Sequence, residues 1–303
     1  MGRPGSKLKF RRRCIQAVSA LLYNANLPGF AQGSIYKGRS KGVCVPGLNC
    51  YSCPGAIASC PLGALQNALS NLPNKLPLYI IGFLLLAGVA LGRVVCGFLC
   101  PFGLIQELLH KLPTPKLKKN RWTRRLSWLK YVILAVVVAA LPLWYAFSRG
   151  MQVPAFCKYI CPAGTLEGGF FLVGTQAKYR ALAGALFLGK AALCVAILAA
   201  CVFVYRGFCR FLCPLGAIYS LFGRIALLAV RVDGDLCNGC GLCVKECPVD
   251  IRRVGDHECI HCGNCISGCP RNAIYFGRER ERAGAKEGKQ GRSQAGDKGG
   301  ERV

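Results

Sequence analysis

Carboxylates are scarce over most of this 303-residue chain. Of its 13 Asp and Glu, six lie between residues 232 and 277 and five follow Gly277. Residues 1–231 hold only Glu107 and Glu167, against 28 Lys and Arg. Histidine is rarer still. His110, His257 and His261 are too few and too scattered for bis-histidine haem in a bilayer. No Met-rich or His-rich tract offers an exposed metal-handling surface. The chain lacks C-x-x-C-H, a phosphate-binding glycine loop and a dinucleotide fingerprint, which excludes c-type haem attachment and nucleotide chemistry. Its basic start runs into a modest apolar stretch without a small-residue cleavage site, so no cleavable secretory signal is expected.

Apolar runs are plentiful, and mean hydropathy is +0.35. Leu76–Gly92 and Tyr131–Phe147 carry no charge, and Ala181–Tyr205 is broken only by Lys190. A span needs about 20 mostly apolar residues, so each run with its flanks predicts a membrane helix. Residues 14–30, diluted by Asn24, Asn26 and Pro28, read either as a fourth span or as a short buried helix. A basic excess of this size also occurs in nucleic-acid binders, but beside such runs it reads as membrane flanks. Segment 111–125 carries seven Lys and Arg, whereas 31–75 and 148–180 carry four each over longer stretches. The positive-inside rule then puts 111–125, and the C-terminal part with it, in the cytoplasm. Arg278–Val303 mixes charge, Gly and Gln without an aromatic and predicts a disordered tail.

Cysteine is the abundant reactive residue, with 21 copies. Residues 237–248 read C-x2-C-x2-C-x3-C-P, and residues 259–270 repeat it. In two-cluster ferredoxins the fourth cysteine of each run ligates the other cluster. Cys237, Cys240, Cys243 and Cys269 should therefore hold one [4Fe–4S] centre, and Cys259, Cys262, Cys265 and Cys247 a second. A pair of structural zinc sites is the bland alternative, but zinc ribbons rarely repeat the whole run with its proline. Gly239, Gly241 and Gly263 suit a backbone that wraps tightly and donates N–H groups to sulfur. Each bound cubane with four thiolates adds about −2, so the formal charge of +27 overstates the true balance.

Three further motifs have the form C-x3-C-P: Cys96–Pro101, Cys157–Pro162 and Cys209–Pro214. Spacing of i, i+4 sets both thiols on one helix face, and the proline restricts the second cysteine and opens a new helix. Buried packing cysteines would explain one such pair; three pairs, each followed by Pro-x-Gly, point to ligation. The first and third are near copies, each preceded by arginine (Arg93, Arg206). Together they predict one four-thiolate site of Cys96, Cys100, Cys209 and Cys213 on the cytoplasmic side, its charge offset by those arginines. Cys157 and Cys161 should lie on the opposite side with the stretch holding Cys44, Cys50, Cys53 and Cys60. There Cys53, Cys60, Cys157 and Cys161 are the favoured set and Cys50 a close competitor, with a disulfide among the surplus on an oxidising side. Glu107 and Glu167 read either as proton acceptors from a quinol or as favourable charges at helix N-termini. Lys190 reads either as lining a cavity or as snorkelling. Cys194 and Cys201 read as packing residues, and Cys14 has no assigned role.

Taken together, the C-x3-C-P set, the Leu48-Asn-Cys-Tyr-Ser-Cys-Pro-Gly55 stretch and the double ferredoxin run resemble the NapH/MauN/NosR-like ferredoxin-type membrane proteins, with relatives of CcoG, over residues 10–277. NosR carries in addition a flavin-bearing domain, and NapH-type chains carry fewer C-x3-C-P motifs. The expected fold is an α-helical integral membrane protein of three or four transmembrane helices with a C-terminal α+β bacterial ferredoxin-like 2[4Fe–4S] domain. Its expected parts are residues 1–75 (basic segment and Cys-rich loop), 76–231 (membrane helices), 232–277 (ferredoxin) and 278–303 (tail). The resemblance implies an electron carrier rather than a stand-alone enzyme, in a bacterial or archaeal cytoplasmic membrane. It would work between a quinol or cytoplasmic donor and a partner oxidoreductase, with one or two further clusters at the membrane cysteines and no nucleic-acid partner. The alternative is an assembly, metal-reduction or redox-sensing factor.

Overall fold

The computed structural model describes residues 4–72, 76–117 and 120–277. The expected disordered tail and Lys118 and Lys119 lie outside the described residues. Two helices, Arg121–Arg149 and Ala185–Phe203, are long and apolar enough to cross a membrane. Only 28% and 17% of their apolar windows are buried. The core helix of a soluble protein would hide most of that surface. The third run forms a shorter helix, Leu78–Ala90, about 20 Å long at 1.5 Å per residue, short of the roughly 30 Å hydrocarbon core. Residues 14–30 do not form an apolar span. They divide between Pro4–Tyr23 and Leu27–Gln32. The first of these helices buries Arg12 and Gln16 while exposing Phe10, Val18, Leu21 and Leu22.

Each of the long helices and Leu78–Ala90 is followed by a cysteine pair, and each pair is followed by a short helix that begins at proline. Cys60, Cys100, Cys161 and Cys213 are all N-cap residues with proline at the next position. Proline lacks an N–H, which costs nothing in the first turn of a helix. The chain breaks at these cysteines and re-enters as Pro61–Ser70, Pro101–Leu109, Pro162–Gly164 and Pro214–Leu221. One continuous core contains Cys60, Cys96, Cys100, Cys161, Cys209 and Cys213 with Leu48, Phe102, Phe156, Phe208 and Tyr219.

The ferredoxin part closes with a two-stranded antiparallel sheet in which Val230–Val232 pairs with Ile274–Phe276. Gly239, Gly241 and Gly263 adopt φ of 71°, 69° and 74°, left-handed values that cost glycine little. His261 takes the position equivalent to Gly239 with φ of 47°. Its imidazole is buried, and Nδ1 accepts from the Val230 amide.

Candidate iron–sulfur sites

In the ferredoxin part the Cys265 thiol lies within electrostatic reach of Cys259, Cys262 and Cys247. Cys243 lies within reach of Cys237 and Cys240. Cys247, the last cysteine of the first run, has thus crossed to the second set. Cys269 stands at the C-terminal end of the Asn264–Gly268 helix, which packs on Leu242–Lys245 of the first run. Residues 237–241 are exposed, whereas Cys259, Ile260, His261 and Cys262 are buried.

The second run is buried because it sits on the first C-x3-C-P turn. A Cβ at Gly97 would stand 2.6 Å from the Ile260 carbonyl oxygen, so only glycine allows this approach. Ion pairs surround the contact. Lys130 Nζ donates to both Glu258 oxygens at 2.6 and 2.7 Å, and Arg93 bonds the His257 carbonyl and Glu258. Arg210 and Arg124 hold Asp250 at 2.8 and 3.0 Å. Burial alone would raise the Asp250 pKa, yet these guanidinium groups hold it below the usual carboxylate range. Phe98 meets Phe276 edge-on at 5.8 Å.

Beneath this dock, Cys96, Cys100, Cys209 and Cys213 line one cavity with Gly47, Leu48 and Tyr219. Their two motifs interlock crosswise. Arg206, from the third motif, packs against Gly103 of the first, and Arg93, from the first, lies near Gly216 of the third. Both arginines are buried and neither is an unpaired charge. Arg206 pairs with Glu107 at 2.6 Å and donates to the Cys96 carbonyl. Glu107 also takes two bonds of 2.8 Å from Arg12 and one from Tyr205. A carboxylate so fully committed to two guanidinium groups is a structural counter-ion, which closes the quinol reading for Glu107.

A second set forms around Cys157 and Cys161. Cys161 lies within electrostatic reach of Cys157, Cys50 and Cys60, and a Cβ on Gly164 would stand 3.5 Å from the Cys50 sulfur and 3.7 Å from that of Cys161. The structure therefore gathers Cys50, Cys60, Cys157 and Cys161. Cys53, favoured over Cys50 on spacing, is turned aside and its thiol donates to Asn24 Oδ1 at 3.5 Å. The cause is local: Glu167 accepts from the Cys50 amide at 2.8 Å and fixes the loop with residue 50 inward. Cys44 is also within electrostatic reach of Cys60, but its amide is bonded to Tyr79, and every cysteine is a free thiol. Lys190 donates to the Cys157 carbonyl at 2.7 Å. Cys194 and Cys201 pack as expected, their thiols turned to the Pro162 carbonyl and to Gln106.

The two sets outside the ferredoxin runs share a wall. Gly47 and Leu48 line the first set, and Cys50 and Cys60 belong to the second. Tyr219, fully buried, donates to the Pro46 carbonyl at 2.9 Å and lies within electrostatic reach of Cys96, Cys100 and Cys60. Each cysteine pair lies between a longer helix and a short proline-led helix, and residues of the 44–60 loop contribute to both sets.

Two residues absent from the sequence reading complete both sites. Gln106 Nε2 donates to Cys209 Sγ at 3.0 Å while its Oε1 accepts from the Phe208 amide at 3.1 Å. Gln66 Nε2 donates to Cys157 Sγ at 3.2 Å while its Oε1 accepts from the Phe156 amide at 2.8 Å. Both glutamines are fully buried. The signal was present as Cys-Pro-x-Gly-x-x-Gln at 60–66 and at 100–106. The same offset after Cys161 and Cys213 gives Glu167 and Tyr219.

The donor sets suit cubanes better than single ions. A zinc ion at about 2.3 Å from sulfur draws four thiolates to about 3.8 Å of one another. The first membrane-part set instead rings a cavity. Amides of Gly164 and Gly216 donate to Cys161 and Cys213 sulfur at 3.4 Å, as expected where N–H groups support a sulfur-ligated centre.

Comparison with known proteins agrees. A family model described as a 4Fe-4S binding domain matches residues 76–120, 129–176 and 182–232, and a second of the same description matches 230–253 and 256–275. The uncharacterized protein MJ0750 of Methanocaldococcus jannaschii is 31% identical over 222 residues, 70% of this chain and 81% of that protein. MJ0749 of the same organism is 31% identical over 196 residues, 61% of this chain and 64% of that protein. The methylamine utilization ferredoxin-type protein MauN of Paracoccus denitrificans is 29% identical over 195 residues, 62% of this chain and 60% of MauN. The chain thus spans somewhat under two thirds of two of these three relatives. No solved structure matches it. With ferredoxin runs, paired C-x3-C-P motifs and these relatives in agreement, the chain belongs to the ferredoxin-type family of 4Fe–4S proteins.

Proposed function

We propose that this protein is a membrane-bound electron carrier with four [4Fe–4S] sites in series. Cys237, Cys240, Cys243 and Cys269 would hold the outermost centre, and Cys259, Cys262, Cys265 and Cys247 the next. Cys96, Cys100, Cys209 and Cys213 would hold the third, and Cys50, Cys60, Cys157 and Cys161 the fourth. Such centres supply one-electron redox chemistry when bound. The observation that carries the reading is the contact of Ile260 with Gly97. It sets the second ferredoxin run directly on the first membrane-part site and leaves Cys237–Gly241 facing solvent.

The remaining residues of the sites serve that role. Gln66, Gln106 and the Gly164 and Gly216 amides donate to sulfur. Glu107 and Glu258 neutralise the buried arginines, and the apolar core excludes water. The exposed Cys237 loop is where a soluble redox protein would dock, and the far end of the Cys157 set is where a quinol or a second oxidoreductase would be met. Arg121–Arg149 and Ala185–Phe203 would anchor the chain in a cytoplasmic membrane, with the ferredoxin and the basic 111–125 segment on the cytoplasmic side.

Anaerobic purification with iron and sulfide counting and EPR tests the reading. About sixteen iron atoms per chain are expected, four per cubane. Recovery of about eight, all reporting on the ferredoxin part, would remove the membrane-part sites, and zinc in their place would replace electron transfer with a structural role.

A further inference from the structure

Where the ferredoxin part meets the membrane part, the surface opens into a cavity of about 300 Å³. Arg224 and Gly223, just after the Pro214–Leu221 helix, form one wall. Arg231 and Arg253 of the ferredoxin part form another. The lining contains three arginines and no Asp or Glu. Arg231 is anchored by a bond from Nη2 to the Ala226 carbonyl. Arg224 and Arg253 are exposed, and among the described residues neither makes an ion pair. Asp256, close by in the chain, spends its carboxylate on the backbone amides of Arg252 and His257.

An apolar surface adjoins this basic cavity. Leu221 and Ile225 are 61% and 60% exposed, flanking Arg224 in the chain. The amides of Leu227 and Leu228 bond the carbonyls of Val89 and Ala90, so this segment is continuous with the Leu78–Ala90 helix, which turns Leu85 and Leu86 outward. Arg224 and Arg253, which have no counter-ion among the described residues, suit a phosphate-type anion. A small soluble phosphate has no use for the adjoining leucines, whereas a lipid presents both a phosphate and acyl chains.

We propose that this cavity binds the phosphate of an anionic lipid headgroup, with the acyl chains lying along Ile225 and the Leu78–Ala90 helix. The site rests on the membrane reading above and adds a role for the lipid. Arg224 belongs to the membrane part and Arg253 to the ferredoxin part, so one headgroup held by both would fasten the dock between them. Basic pockets beside membrane helices on the cytoplasmic side take anionic headgroups for this electrostatic reason.

The test uses the full chain with its clusters, purified in detergent and titrated separately with short-chain phosphatidylglycerol, short-chain phosphatidylcholine and inorganic phosphate. Phosphatidylglycerol should bind at least ten-fold more tightly than phosphatidylcholine. The Arg224→Gln/Arg253→Gln double variant should weaken it by roughly 25-fold, about five-fold per arginine near a lipid surface. Arg252→Gln, an exposed neighbour outside the cavity, should change nothing, and EPR signals should match in all forms. Equal affinity for the two lipids, or an unchanged double variant, overturns the site. Inorganic phosphate binding as tightly as phosphatidylglycerol overturns the lipid as its source. Flotation with phosphatidylcholine vesicles tests the membrane reading alone: failure to float rejects that reading, whereas flotation without phosphatidylglycerol preference rejects only this one.

Discussion

Gln106 reaches across the first membrane-part site to donate to Cys209 Sγ at 3.0 Å. It stands six residues after Cys100 and touches a cysteine from a motif more than a hundred residues away. Gln66 stands six residues after Cys60 and does the same for Cys157. In each site, one motif supplies a helix with a glutamine and the other supplies the thiol it meets.

A hydrogen bond to a ligating sulfur withdraws electron density and favours the reduced centre. Gln106→Leu should therefore lower the midpoint potential of the Cys96/Cys209 centre by roughly 40 mV, taking about 1 kcal/mol for the bond and 59 mV per tenfold for a one-electron couple. Gln66→Leu should do this only to the Cys157 centre. EPR-monitored redox titration reads both, and an unmoved potential in either variant denies that glutamine its tuning role.

Site sharing gives a sharper expectation. Cys96→Ser and Cys209→Ser should each remove the same spectroscopic centre. The double variant should lose no more iron than either single, because members of one site act as a unit. Cys157→Ser should leave that centre intact. Additive iron loss would assign Cys96 and Cys209 to separate sites.

Cys50 and Cys53 can be told apart directly. Cys50→Ser should abolish the centre that Cys157→Ser abolishes. Cys53→Ser should retain it, since that thiol faces Asn24 rather than the other sulfurs. Iron analysis of the two purified variants decides between them, and the reverse pattern would restore the ligand set read from spacing.

The dock should depend on Glu258, which meets both Lys130 and Arg93. Glu258→Gln leaves two buried cations short of a counter-ion and should cost about 3 kcal/mol, seen as faster hydrogen exchange around residues 256–262 with ferredoxin iron retained. Asp250 adds a pH dependence. Its lowered pKa means that its contribution is full above the ordinary aspartate value of about 3.9 and is lost as pH falls through the lowered value. Exchange that is unchanged in Glu258→Gln would make the pair incidental to docking.

The cysteine framework was legible because spacing carries it: four thiols in a short run, or proline directly after one, leave little freedom for the local chain. The helix starts at Pro61, Pro101, Pro162 and Pro214 followed for the same reason. What spacing does not encode is which loop residue points inward. Cys53 is nearer Cys60 in sequence than Cys50 is, yet Cys50 is the one turned inward, held by Glu167, 117 residues from Cys50. Long-range pairs such as Arg12–Glu107 and Lys130–Glu258 were hidden likewise, for a charge in sequence carries no mark of its partner. The shared wall at Tyr219 was not legible because a cysteine pair after an apolar run carries no mark of which other segment packs beside it.

The crosswise packing of Arg206 on Gly103 and of Arg93 near Gly216 bears on how the protein is made. Neither C-x3-C-P motif offers more than two thiols, and their helices leave the ribosome more than a hundred residues apart. A cofactor delivered early would find only half a cradle. Insertion of that centre must wait until Ala185–Phe203 has met Leu78–Ala90, whereas eight ferredoxin cysteines lie within one short stretch and can be filled on their own. On the proposed ligand sets, maturation would be ordered by chain topology, and iron shortage during synthesis would leave the inner sites, rather than the ferredoxin, as the bottleneck of biogenesis.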